Sequence, residues 1–160
     1  MRLIIIRHGE TVDNVRDIIQ GQRHGKLTER GKEQVRKLAL RLKDEKIDVI
    51  FSSDLGRARE TTEEVAKFHK VPIYYTPELR ERSFGIFEGK PMEEVRKAIR
   101  ESGLSKIEFK PEGGESIIDL RERAQRFLYK ILKEYDDETI LISSHGNFNK
   151  MLLGALLGIS

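Results

Sequence analysis

The chain has 160 residues, of which 30 are Lys or Arg and 27 are Asp or Glu, and its formal net charge is +3. A chain of this length can fold as a single domain over residues 1–160 and bury roughly two-thirds of its unfolded surface. It contains no cysteine, which excludes a disulfide framework and a thiol nucleophile. Its basic residues are spread along the chain, so we expect no nucleic-acid partner, whereas a small anionic ligand suits the charge.

The composition also indicates where the protein works. The sequence has no signal peptide and no long apolar run, so we expect a cytoplasmic protein that does not enter a membrane. Charged residues make up 36% of the chain, and Cys and Trp are absent. This bias is typical of thermophilic proteins, because ion-pair networks are easier to desolvate at high temperature.

Four short apolar runs predict strands, at residues 3–6, 47–51, 71–75 and 139–142, of which the third is the weakest. The runs are continuous rather than alternating, which is typical of strands covered on both faces. A helical period of about 3.6 residues recurs over residues 35–42 and 117–132, and residues 56–68 and 91–100 predict two further helices. A last helix over residues 148–157 is apolar nearly all round, and we expect it to be buried.

Strands that alternate with helices predict an α/β fold, a three-layer α/β/α sandwich around a mostly parallel sheet. Ligands of such folds bind beyond the carboxyl ends of the strands. Arg7 and His8 follow the first predicted strand, Arg57 lies just after the second, and His145 and Gly146 follow the last. We therefore expect two histidines and two arginines to meet at one edge of the sheet.

This combination suits phosphoryl transfer, although a lone histidine at a strand end is more often structural. Arg7, Arg57 and His145 can supply the cations that a phosphoryl group needs around its oxygens. A neutral imidazole at His8 is a competent nucleophile near pH 7. Glu81 is the candidate proton donor for the leaving group.

A metal centre is the main alternative use of the histidines. The four of them, His8, His24, His69 and His145, form no H-x-x-x-H or H-x-H pair. Two arginines beside the candidate ligands would repel a divalent cation. We therefore expect neither a metal nor an organic cofactor, and we interpret His69, late in a predicted helix, as structural.

Short motifs extend over nearly the whole chain. The first is Arg7-His8-Gly9-Glu10-Thr11, followed by Asn14. The later motifs, in order, are Gln20-Gly21 with Leu27-Thr28-Glu29-Arg30-Gly31, Ser52-Ser53-Asp54-Leu55-Gly56-Arg57-Ala58, Leu79-Arg80-Glu81, Phe84-Gly85-Ile86-Phe87-Glu88-Gly89, Gly113-Gly114-Glu115-Ser116 and Ser144-His145-Gly146. Together they resemble the histidine phosphatase superfamily, also called the phosphoglycerate mutase-like family.

The resemblance implies a role for each matching residue. His8 is then the nucleophile that becomes a phosphohistidine, and Glu81 is the proton donor. The phosphate pocket is formed by Arg7, Arg57 and His145. The further substrate contacts are Asn14, Gln20, Gly21 and Gly146, and the helix that begins near Gly146 directs its N-terminal dipole at the phosphate.

Three acidic residues of these motifs need separate interpretations. For Glu81 the alternative role is a surface ion pair with Arg80 or Arg82. Glu10 and Glu115 are expected to orient loops rather than to take part in the chemistry.

Two departures from the family pattern are visible in the sequence. His24 and Lys26 stand where many relatives carry Asp and Pro, so we expect altered substrate contacts at the rim of the pocket. Relatives usually continue past the final helix with another strand, whereas this chain stops at Ser160. Either this is a shortened member, or a sheet edge is left open for a partner subunit in a homodimer.

The sequence favours a metal-independent phosphoric monoester hydrolase that acts on a small-molecule phosphate ester. A phosphoglycerate mutase needs a longer insert that excludes water from its phosphohistidine, and the stretch between Gly89 and Pro111 is short. The motif from Phe84 to Gly89 is most similar to that of broad-specificity and alpha-ribazole phosphatases. Protein phosphohistidine phosphatases tend to lack an acid at the position of Glu81.

A non-catalytic protein that binds phosphorylated ligands is the third alternative. The presence of His8, Arg57, Glu81 and His145 opposes it. The substrate itself stays open, because specificity resides in loops such as residues 18–26 and 90–111.

Overall fold

The computed structural model describes residues 1–159 of the chain. The strands are β1 (Arg2–Arg7), β2 (Val49–Ser53), β3 (Ile73–Thr76) and β4 (Thr139–Ser144). The α-helices are α1 (Val12–Val15), α2 (Glu29–Leu42), α3 (Gly56–Ala66), α4 (Met92–Ser102), α5 (Ile117–Glu134) and α6 (Gly146–Leu156). Two short 3-10 helices, Pro77–Leu79 and Gly85–Phe87, lie between β3 and α4.

The sheet has the strand order β1-β4-β2-β3, and each neighbouring pair is parallel. Arg7 at the end of β1 lies opposite Ser144 at the end of β4. Ser52 near the end of β2 lies opposite Ser143. The carboxyl ends of β1, β4 and β2 therefore meet at one edge, where the predicted site residues follow the strands.

Helices cover both faces of the sheet, which confirms the predicted three-layer α/β/α fold. Successive side chains of a strand point to opposite faces, and β4 shows this clearly. Ile142 is buried with Phe127 of α5 on one face. Leu141 is buried with Val65 of α3 on the other.

A smaller hydrophobic cluster lies outside the sandwich. Ile19, Phe84, Val95 and Phe109 are buried together, and Met92 at the start of α4 packs against them. The cluster joins α4 to the loop between α1 and α2 and to the segment that follows β3. It forms the support for one side of the candidate site.

Helix α6 is less buried than its sequence predicts. Phe148 and Leu152 are its buried residues, whereas Leu153 and Leu156 are 45% and 39% exposed. The prediction of a buried helix is therefore wrong, because one face of α6 packs on α5 and the sheet and the opposite face is open. Within residues 1–159, no helix is long and apolar enough to cross a lipid bilayer.

The remaining predicted elements are confirmed with small shifts at their ends. Strand β2 begins at Val49 rather than at residue 47, and α3 ends at Ala66 rather than at residue 68. The sequence analysis missed α1, because one turn is too short to show a hydrophobic period. This turn is fixed locally by a capping box between Thr11 and Asn14.

Candidate active site

His8 lies directly after β1 and is 7% exposed. Its Nδ1 lies 2.8 Å from the carbonyl oxygen of Gly9. Because a carbonyl oxygen only accepts hydrogen bonds, Nδ1 carries the proton and Nε2 keeps its lone pair. Burial, and then the charge of Arg57, lower the pKa of His8 to about 3, so the ring is neutral at pH 7.

Arg57 lies in the first turn of α3 and is 1% exposed. Its Nε donates to Nε2 of His8 over 3.2 Å, and its Nη2 donates to the carbonyl oxygen of Gly21 over 2.8 Å. Nη1 donates to the carbonyl oxygen of Arg23. These acceptors are all neutral, so the positive charge stays available to an anion. Burial lowers the pKa of Arg57 to about 10, and the group is still charged at pH 7.

His145 is fully buried behind His8, with the two ring centroids 5.2 Å apart. Its Nε2 lies 2.8 Å from Oγ of Ser53, and its Nδ1 is buried with no hydrogen-bond partner in the described part of the chain. Burial, and then the charge of Arg57, hold the pKa of His145 well below its ordinary value. Burial therefore opposes a positive charge on His145 in the free site, whereas the sequence predicts that this residue supplies a cation.

Two adjoining hollows open beside His8. The deeper one has a volume of about 150 Å³ and is lined by Arg7, His8, Asn14, Ile18, Ile19, Gln20, Gly21, Arg57, Glu81, Phe84, Met92 and Asn147. The other has a volume of about 290 Å³ and is lined by Arg7, His8, Glu10, Asn14 and Gln34. Of the predicted site residues, only His145 and Gly146 are outside these two linings.

Gly146 lies beside Arg7. A Cβ atom built there would be in ordinary van der Waals contact with the guanidinium group, 3.4 Å from Cζ and 3.5 Å from Nε. Arg7 itself is exposed and lines both hollows.

Glu81 is bound to the first turn of α6. Its Oε2 accepts from the backbone N–H of Asn147 over 3.1 Å, and its Oε1 accepts from the N–H groups of Phe148 at 3.3 Å and Arg82 at 2.8 Å. The N-terminus of α6 thus faces a carboxyl group of the chain itself. The sequence predicts that this helix dipole is directed at the phosphate, and in the structure two of its N–H groups bind Glu81.

The alternative role for Glu81, a surface ion pair, is wrong. Arg80 donates two hydrogen bonds to the carboxylate of Asp54, at 2.7 and 2.6 Å. Arg82 donates to the carbonyl oxygens of Glu115 and Phe109. Both arginines are therefore turned away from the carboxyl group of Glu81.

Arg123 of α5, a residue that the sequence motifs do not include, fixes the backbone that carries Glu81. Its guanidinium donates to the carbonyl oxygens of Arg80 at 2.7 Å and Glu81 at 3.2 Å, and it pairs with Glu115 at 2.8 Å. The sequence contains a signal for this role, because position 123 lies on the same face of α5 as the buried Leu120. Glu115 orients this loop, as expected.

Glu88, which the sequence analysis quoted only as part of a motif, joins two loops of the site. Its Oε1 accepts from the backbone N–H groups of Gln22 and Phe84, both at 3.0 Å. Gly21 lies against this carboxylate with φ of +51°. Glycine suits this left-handed backbone, and any side chain would collide with Glu88.

Three further polar residues line the two hollows, and they are Asn14, Gln20 and Glu10. Oδ1 of Asn14 accepts from the N–H of Thr11 over 3.1 Å, which leaves Nδ2 for a ligand. Oε1 of Gln20 is buried, and no partner for it occurs within residues 1–159. Glu10 accepts from Oγ1 of Thr28 over 2.8 Å and so orients its loop, as expected.

A family model described as the histidine phosphatase superfamily (branch 1) matches residues 3–160. The chain belongs to this superfamily. Bovine fructose-2,6-bisphosphatase TIGAR is 39% identical over 130 residues, which are 78% of this chain and 48% of that protein, so the chain spans about half the length of this relative. A probable phosphoglycerate mutase GpmB from Proteus mirabilis is 34% identical over 99% of this chain and 76% of its own length.

A solved structure supports the assignment to this histidine phosphatase fold. It is described as a putative alpha-ribazole-5'-P phosphatase from Escherichia coli, and it matches with a TM-score of 0.91 at 30% identity. The match covers 100% of this chain and 81% of that one. The sequence resemblance to the superfamily and the predicted fold class are both confirmed.

This histidine phosphatase uses His24 in a way that the sequence analysis did not expect. Neither His24 nor Lys26, where altered substrate contacts are expected, lines the two hollows. Nδ1 of His24 instead accepts from the N–H of Gly56 over 3.2 Å, and its carbonyl oxygen accepts from the N–H of Arg57 over 3.0 Å. His24 thus binds the first turn of α3, which carries Arg57.

No group of three histidine, aspartate or glutamate side chains that could hold a metal ion occurs among residues 1–159. The cations that line the hollows are Arg7 and Arg57.

Proposed function

We propose that the chain hydrolyses small-molecule phosphate monoesters and that Nε2 of His8 is the nucleophile. The observation that carries the proposal is the fixed tautomer of His8, with its Nδ1 proton bound to the carbonyl oxygen of Gly9. The lone pair of Nε2 is held beside the guanidinium of Arg57 at 3.2 Å. A phosphoryl group that replaces this contact meets a neutral nucleophile and a buried cation together.

In the first step, Nε2 of His8 bonds to phosphorus as the ester bond from phosphorus to oxygen breaks. Arg7 and Arg57 bind the non-bridging oxygens, whose charge must be stabilised in the transition state. The leaving oxygen takes a proton from the carboxyl group of Glu81 and departs as the alcohol. Glu81 must first release part of its contact with the backbone of Asn147 and Phe148.

In the second step, water attacks the phosphohistidine and gives a proton to the carboxylate of Glu81. The bond from phosphorus to Nε2 breaks, inorganic phosphate leaves, and the neutral ring of His8 is restored. The unpartnered Nδ1 of His145 suits a hydrogen bond to a phosphoryl oxygen in both steps. All positive charge comes from side chains, so neither step requires a metal ion.

Hydrolysis is favoured over isomerisation by the size of the segment above the site. The stretch between Gly89 and Pro111 contains the single helix α4, so little chain is present to exclude water from a phosphohistidine. Two of the similar proteins described above are named as phosphatases. One is named as a probable phosphoglycerate mutase, and isomerisation of 3-phosphoglycerate is therefore the second candidate.

The test measures phosphate release from an aryl phosphate in EDTA, with and without vanadate. We expect release to persist in EDTA and to be inhibited by vanadate, which adopts the trigonal-bipyramidal shape of the transition state. His8→Ala should abolish turnover, and quenching of the wild type without acid should trap labelled phosphate on His8. Loss of activity in EDTA, or label on His145, contradicts the proposal.

The same assay separates the second candidate function. If added bisphosphoglycerate switches on isomerisation of 3-phosphoglycerate at a rate above that of phosphate release, the protein is a mutase.

A further inference from the structure

The walls around the phosphate position differ sharply in charge. Once Arg7, His8, Arg57 and Glu81 are assigned to the phosphoryl group, the other residues that line the deeper hollow carry no charge. They are Asn14, Ile18, Ile19, Gln20, Gly21, Phe84, Met92 and Asn147. The alcohol part of a substrate must lie among these residues.

Half of these uncharged residues form an apolar wall. Ile19 and Phe84 are 1% and 8% exposed, and they belong to the buried cluster against which Met92 packs. Ile18 completes the wall. This side of the hollow therefore presents an apolar surface to the ligand.

The adjoining hollow offers no cation for a second anionic group either. Its lining adds Glu10 and Gln34 to residues already named, so its one additional charge is negative. A carboxylate or second phosphate on the alcohol that reached this hollow would face the carboxylate of Glu10. Like charges placed together in this way oppose binding.

Three basic side chains close to the lining residues in sequence are already bound elsewhere. Arg23 pairs with Asp13 at 3.3 Å. Arg80 is bound to Asp54, and Arg82 donates to backbone carbonyl groups.

We infer that the alcohol part of the substrate is uncharged and places an apolar surface against Ile18, Ile19, Phe84 and Met92. This inference rests on the proposed phosphatase function and narrows its substrate class. It disfavours phosphoglycerates, phosphoserine and bisphosphates as preferred substrates, and it favours esters of neutral alcohols with an apolar face.

The test uses pairs of substrates that differ by one carboxylate. Glycerol 3-phosphate is paired with 3-phosphoglycerate, and phenyl phosphate is paired with 4-carboxyphenyl phosphate. We expect kcat/KM to be about tenfold or more higher for the neutral member of each pair, because the charged member meets Glu10 and no cation other than Arg7 and Arg57 lines either hollow. Phenyl phosphate should be the best of the four, since its ring contacts the apolar wall.

A variant of the wall gives a second measurement. Met92→Lys places a cation in the hollow, and Met92→Gln is the uncharged control. The lysine variant should raise kcat/KM for each carboxylate substrate relative to its neutral partner, and the glutamine variant should not.

The outcomes separate this inference from the proposed function. If none of the four esters releases phosphate, the phosphatase proposal fails, and this inference fails with it. If all are hydrolysed and the carboxylate members are equal or better, the function stands and the neutral-alcohol inference is overturned.

Discussion

Nε of Arg57 donates a hydrogen bond to Nε2 of His8 over 3.2 Å, so the candidate nucleophile and the buried cation of the site are in direct contact. In the proposed reaction, a phosphoryl group takes the position of this contact. A substrate therefore replaces one hydrogen bond of Arg57 by another, and the guanidinium needs little rearrangement when the phosphate arrives.

Arg57→Ala should lower kcat/KM. The loss of transition-state stabilisation should be about 2 to 4 kcal/mol, as expected when one preorganised charged donor is removed. Arg57→Lys is the matched control, because it keeps the charge but loses the fork that reaches the carbonyl oxygens of Gly21 and Arg23. It should recover part of the loss. Steady-state kinetics on an aryl phosphate measure both variants, and unchanged activity in Arg57→Ala would place the residue outside the mechanism.

Glu81→Gln should slow the hydrolysis of alkyl phosphates by roughly a hundredfold or more, because an alkoxide leaves poorly without a general acid. A nitrophenolate leaves without this help, so phosphohistidine formation from nitrophenyl phosphate should be nearly normal. Breakdown of the phosphohistidine should then be limiting, and stopped-flow absorbance should show a burst of nitrophenol. Equal slowing of both substrates without a burst would mean that Glu81 only supports the first turn of α6.

The free energy of unfolding should fall as the pH falls from about 6.5 towards 3. The pKa of His8 is lowered to about 3 in the folded chain, so in this interval the unfolded chain binds the additional proton. Acidification therefore lowers the free energy of unfolding, by up to about 1.4 kcal/mol per pH unit for this residue. Burial of His145 lowers its pKa and acts in the same direction.

Urea denaturation of the wild type and of His8→Asn between pH 7.5 and 4.5 measures this effect. Carboxyl groups titrate in both proteins, so the difference between the two slopes isolates His8. Equal slopes would mean that His8 is not buried as a neutral ring.

His24→Ala should lower the free energy of unfolding by about 1 kcal/mol, the usual effect of removing a side-chain acceptor at a helix N-terminus. It should also reduce kcat/KM, because the first turn of α3 positions Arg57. His24→Asn is the control, since its amide oxygen can accept from the N–H of Gly56. Chemical denaturation and kinetics test both variants. If the two variants behave alike in both measurements, the contact with Gly56 is unimportant.

The sequence by itself determined the order of the elements and the residues at the edge of the sheet. Continuous apolar runs such as residues 139–142 and the stripe that buries Phe127 are local patterns, so they are readable without the fold. The parallel sheet then brings Arg7, His8, Arg57 and His145 together, because each lies at or shortly after the carboxyl end of a strand. The burial of α6 could not be predicted from the sequence, because an apolar helix does not indicate which of its faces packs against other elements.

Only the tertiary structure decided what holds these residues and which charge they carry. The contacts of Arg123 with the backbone at Glu81, and of His24 with Gly56, join residues that are far apart in the chain. The lowered pKa of His145 depends on complete burial close to Arg57, and neither property belongs to any local pattern. Distances and burial set the hydrogen bonds and pKa values of a site, and both exist only once the chain is folded.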